Sequence, residues 1–147
     1  MRDKVIFLVL GIVITVLFFV FKITLYDALY YSSNVFTYDF GNLDDYTSVA
    51  LITITVAWGM AAIYYYVINS VKFDRWYHWL AMLGLVAVLT PVIDYFVTSA
   101  IVEDKDYGRE ILAFEFHNII FAVLLFVIAS FSMRWWSSNC RHTPIPQ

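Results

Sequence analysis

The chain has 147 residues, 62% of them hydrophobic and 14% charged, with a formal net charge of −3. A composition this apolar leaves no room for a soluble domain of useful size and reads as a multi-pass membrane protein. The negative balance argues against a nucleic-acid partner, and the single cysteine, Cys140, excludes an intrachain disulfide framework, a Cys-rich metal site and paired-thiol redox chemistry.

Four apolar runs follow one another at residues 5–25, 47–68, 78–101 and 111–133. Each has about the 20 residues that a helix needs to cross a bilayer core. The first run carries Lys22 near its far end and lacks a small-residue cleavage site, so it is expected to be a retained helix. The segment 26–46 is the longest connection and mixes aromatics with Ser, Asn and Asp. Its Tyr30, Tyr31, Phe36, Tyr38 and Phe40 are candidates to dock a partner, because aromatic anchors dominate interface energetics. The plainer alternative places these rings on lipid headgroups.

The second run leads into the short connection 69–77, which makes runs two and three an antiparallel helical hairpin. Pro91 interrupts the third run one turn before Asp94, and a helix kink is expected there. The fourth run contains Glu115, His117 and Asn118 and ends in the polar tail 139–147. The predicted fold is therefore an all-α, single-domain bundle of four transmembrane helices over about 5–26, 47–69, 76–101 and 110–134.

Charge gives the orientation. Arg2, Lys4, Lys72, Arg75, Arg134 and Arg141 lie on one side, against Lys105 and Arg109 on the other. The positive-inside rule then places both termini in the cytoplasm, and a bacterial inner membrane fits this best. Trp76, Tyr77, Trp79, Trp135 and Trp136 are expected at the inner boundary, and Tyr26, Tyr30, Tyr31, Tyr46 and Tyr107 at the outer one.

At 100° per residue each run shows one small or polar stripe. These are Lys4, Gly11, Thr15 and Lys22; Ser48, Thr55, Gly59, Ala62, Tyr66 and Asn69; Gly84, Ala87, Pro91, Asp94 and Thr98; and Glu115, Asn118, Ala122 and Ala129. In lipid, small and polar residues turn toward neighbouring helices, so most of these positions are expected to be packing seams. The ionisable residues are more telling, since a charge in hydrocarbon costs several kcal/mol and needs a partner. Lys22, Asp94, Glu115 and His117 fall in one layer, roughly 5–12 Å from the outer interface at 1.5 Å per residue. The expected arrangement is a buried polar cluster of Lys22 with Asp94 and Glu115, bordered by Asn118 and Tyr26, with His117 as its weakest member. Two carboxylates beside one ammonium leave excess negative charge, so one carboxyl is expected to hold a proton.

Catalytic and metal sites are not expected. His78 and His117 lie at opposite depths, and a Glu-x-His spacing puts the two side chains on different helix faces. No nucleophile–base pair is visible, and neither a metal nor another cofactor is implied. The leading expectation is a non-enzymatic subunit of a membrane assembly, self-associating or bound to another membrane protein. Protection against a pore-forming toxin is one version. An ion or proton channel or carrier built on Lys22, Asp94 and Glu115 is the alternative. A membrane enzyme acting on lipid headgroups, with Asp94 or Glu115 as base, ranks last.

Overall fold

The computed structural model describes residues 2–32, 43–101 and 108–137. Five α-helices carry these residues: α1 (Arg2–Val20), α2 (Lys22–Ser32), α3 (Leu43–Ala62), α4 (Trp76–Ile101) and α5 (Gly108–Met133). Among the described residues, three spans are long and apolar enough to cross a membrane: Tyr46–Ile68, Trp76–Ala100 and Ile111–Trp136. The first apolar run departs from expectation. It breaks at Phe21, and Lys4–Val20 meets Lys22–Ala28 at 68°, making a fourth span only if the bent pair acts as one.

The break has no Gly or Pro to explain it, and the hydrogen bonds Phe21 N to Leu17 O (2.9 Å) and Leu25 N to Phe21 O (3.0 Å) persist through it. Its consequence is the burial of Tyr26. This ring is wholly buried and lies 5.5–6.0 Å, centroid to centroid, from the rings of Phe18, Tyr46, Phe114 and Phe121. This aromatic packing is a physical gain that offsets the cost of the bend.

α3, α4 and α5 pack on one another, with α1 laid mainly against α5. The buried positions of α3 recur at helical spacing: Tyr46, Val49, Ala50, Thr53, Ala57 and Ala61. Those of α4 are Trp79, Met82, Val86, Thr90, Asp94 and Thr98. Those of α5 include Ile111, Phe114, Glu115, Asn118, Ala122, Leu125, Phe126 and Ala129. The fourth stripe thus lies inside as expected. The second does not: Thr55 and Tyr66 are exposed, and the face centred on Thr53, Ala57 and Ala61 is buried instead. Ala57 and Ala61, one turn apart, keep the buried face small enough for close helix approach.

The glycines separate in the same way. A Cβ on Gly11 would run into Ser132 on α5, so this glycine sets the α1–α5 approach. At Gly59 and Gly84 a Cβ would meet nothing within 4 Å, so neither is a packing seam within this chain. α1 is further tied by Trp58 Nε1, which donates to Thr15 Oγ1 at 3.0 Å. Near its start, Lys4 Nζ donates to Trp135 O at 3.3 Å.

After α3 the chain takes a π-helical turn, Ile63–Ile68, closed by Asn69 N to Tyr64 O at 3.4 Å. The wider turn brings the successive residues Tyr64 and Tyr65 both inward. Asn69 then takes φ 24°, ψ 52°, left-handed backbone that Asn tolerates better than most residues. The connection is short, as expected, and holds a single 3₁₀ turn, Val71–Phe73, fixed by Tyr64 Oη donating to Phe73 O at 2.7 Å. α4 continues through Pro91 from Trp76 to Ile101.

Three aromatics expected at the interfaces belong to the core. Tyr26, Tyr46 and Trp79 are buried, and Trp79 Nε1 donates to Ser130 Oγ at 3.1 Å. Trp76, Tyr77 and Trp136 are exposed, as an interfacial belt requires.

Candidate functional site

Four helices bring six polar side chains together in the half of the bundle away from the 69–75 connection. Tyr26 comes from α2, Thr53 from α3, Asp94 and Thr98 from α4, and Glu115 and Asn118 from α5. Each is at most 2% exposed.

Asn118 is the hub. Its Nδ2 donates to Asp94 Oδ2 (2.9 Å) and Thr53 Oγ1 (3.0 Å) and lies 3.4 Å from Glu115 Oε2. An amide has two hydrogens, so three acceptors compete for them. Its Oδ1 accepts from Tyr26 Oη at 3.2 Å. Thr98 Oγ1 donates to Glu115 Oε1 at 3.4 Å. Thr53 Oγ1 donates to Val49 O at 2.8 Å and lies 3.4 Å from Asp94 Oδ2 and 3.5 Å from Tyr26 Oη. Its single hydrogen cannot serve all of these, and the short bond to its own helix has the best claim on it.

The two carboxylates are thus held within reach of one nitrogen and share too few donors. Asp94 Oδ1 and Thr90 Oγ1, one turn apart on α4, are buried with no hydrogen-bond partner among the described residues. Nor does a described Lys or Arg form an ion pair with Asp94 or Glu115. Buried polar atoms without partners are costly and uncommon.

The structure joins Asp94, Glu115, Asn118 and Tyr26 but leaves out two expected members. Lys22 sits at the helix break, half-buried, with Nζ 4.3 Å from the centre of the Phe19 ring. Among the described residues Lys22 pairs with neither carboxylate, and a cation–π contact with Phe19 stands where the ion pair is expected. His117 is half-buried on the flank of α5, with Nδ1 2.7 Å from Ala113 O. Thr53 was not expected here. Its sequence signal is the 3-4 spacing of Tyr46, Val49, Ala50, Thr53, Ala57 and Ala61. The side chains of Tyr30 and Tyr31, and all of Phe36, Tyr38 and Phe40, lie outside the described residues.

Aromatic rings pack around the cluster and exclude solvent. Tyr46 stacks on Tyr26 at 5.6 Å and donates its hydroxyl to Asp27 Oδ1 at 2.9 Å. Toward the 69–75 connection an apolar band follows, with Val86, Ala57, Ala122, Leu125 and Phe126 buried, before the buried Ser130, Ser132 and Arg134 near the end of α5. Among the described residues, no three His, Cys, Asp or Glu side chains gather to hold a metal ion. No family model, curated protein or solved structure matches the chain.

Proposed function

We propose that this is a four-span membrane protein that binds a proton or cation at the Asp94–Glu115 pair, as the site of a channel or carrier. One observation carries the reading: two carboxylates, both at most 1% exposed, share the Asn118 amide with no described cation beside them. Two buried negative charges side by side are prohibitive in a low dielectric, whereas one proton or one cation between them removes most of that cost. Asp94 Oδ1 is the oxygen left to receive it. In this reading the α1–α2 pair is one bent span, both termini are cytoplasmic by the positive-inside count, and a bacterial inner membrane is the location.

A second reading is the non-enzymatic assembly subunit, and the apolar interior between the cluster and the 69–75 connection favours it. Among the described residues, Ala57, Val86, Ala122, Leu125 and Phe126 separate the cluster from the buried Ser130, Ser132 and Arg134, so a single copy offers no continuous polar route there. A conducting path would need stripes from further copies or from a partner protein. A headgroup-directed enzyme has the weakest support, because among the described residues no activated nucleophile or metal set accompanies the two acids.

Asp94→Asn separates these readings. With the protein in liposomes carrying a pH-sensitive dye, proton or cation flux is expected to vanish while the bundle still folds. If the role is only assembly, the loss falls on stability or subunit association, of order 1–3 kcal/mol.

A further inference from the structure

A cleft of about 330 Å³ opens on the outer surface of the α4–α5 pair, beside Pro91 and directly behind the carboxylate cluster. Leu112, Tyr95, Phe96 and Phe116 contribute to its walls, and Glu115, 1% exposed and bonded inward to Thr98 and Asn118, lies beneath them as the one charged residue of the lining among the described residues. Phe96 and Phe116 are 67% and 69% exposed, so the cleft is flanked by rings reachable from the bilayer. The volume falls in the range of small-molecule sites. Pro91 lies in its wall, a residue that lacks a backbone donor and frees the carbonyl one turn earlier.

We propose that this cleft admits a lipophilic cation, an aromatic or alkyl ammonium or phosphonium, laterally from the membrane, with its charge drawn toward Glu115. The inference rests on the proton-or-cation reading of the Asp94–Glu115 pair and names its ligand class. Charge complementarity selects this occupant. A neutral lipid tail would satisfy the apolar walls but leave the carboxylate pair uncompensated. A hydrated inorganic ion would find walls with almost no oxygen to replace its water. A cation with an apolar surface meets both demands, and the rings of Tyr95, Phe96 and Phe116 add cation–π attraction.

The test uses the full chain in phosphatidylcholine nanodiscs, with tetraphenylphosphonium as probe and uncharged triphenylphosphine oxide as control. Saturable binding of the cation at one site per chain, with the oxide much weaker, is expected. Glu115→Gln is expected to weaken binding at least tenfold, and Phe116→Ala roughly two- to fivefold. If Glu115→Gln does not fold, Phe116→Ala and Phe96→Ala decide, because both side chains are largely exposed. Equal binding of cation and oxide, unaffected by Glu115→Gln, would show a seat for neutral lipid and overturn the proposal. An absence of cation binding while an infrared carboxylic-acid band persists would overturn it and leave the proton reading standing. Cation binding without that band would support the cleft and overturn the proton reading.

Discussion

Asn118 Nδ2 donates to Asp94 Oδ2 at 2.9 Å, across the α4–α5 interface and beneath two further acceptors, Thr53 Oγ1 and Glu115 Oε2. The amide therefore sets how far apart the two carboxylates stand. Removing it with Asn118→Ala leaves Asp94 dependent on Thr53, whose hydrogen is already engaged by Val49 O. A stability loss of about 1–3 kcal/mol is expected, measured by unfolding in mixed detergent. In a double-mutant cycle with Asp94→Asn, a coupling of about 0.5–3 kcal/mol is expected.

Lys22 gives the opposite expectation. Its ammonium lies over Phe19, outside the cluster. Lys22→Met is expected to cost no more than about 1 kcal/mol, the scale of an exposed cation–π contact, and to leave the carboxyl infrared bands unmoved. A loss of about 3–5 kcal/mol, as for breaking a buried ion pair, would return Lys22 to the network.

Gly11, Gly59 and Gly84 are not equivalent. Gly11→Ala drives a methyl into Ser132 and is expected to cost about 1–3 kcal/mol by overpacking. Adding Ser132→Gly is expected to restore most of it. Gly59→Ala and Gly84→Ala meet open space and are expected to be neutral or stabilising by up to about 1 kcal/mol within one chain. A large loss of native particle mass in Gly84→Leu, with the monomer still folded, would instead mark that face as a contact between subunits.

Trp58 and Thr15 report on how firmly α1 is held. Thr15→Val removes the acceptor of Trp58 Nε1. The expected cost is about 0.6 kcal/mol, typical of hydrogen bonds between membrane helices, with a shift in the tryptophan emission as the spectroscopic readout.

Much of the site is legible in the sequence because membrane burial makes ionisable residues conspicuous. Asp94, Glu115 and Asn118 stand out against Leu, Ile, Val and Phe, and the Glu115–Asn118–Ala122–Ala129 spacing gives the inward face of α5 directly. Threonine is a weaker signal. Its hydroxyl can bond to a carbonyl of the preceding turn, so it is tolerated on either face of a helix. That is why Thr55 is as plausible as Thr53 until the packing of Ala57 and Ala61 decides. Lys22 misleads for a different reason. Its placement assumes a straight first helix, whereas the helix bends at Phe21 and the distant rings of Tyr46, Phe114 and Phe121 receive Tyr26. No local pattern of Gly, Pro or caps announces it.

The most direct measurement is an infrared spectrum of the protein in nanodiscs at neutral pH, compared with Asp94→Asn and Glu115→Gln. A proton shared by the pair gives a carboxylic-acid carbonyl band in the native protein that is lost or displaced in each variant. If only ionised carboxylate bands are present, and the variants change nothing in the acid region, the buried pair holds no proton and the proposed proton site is wrong.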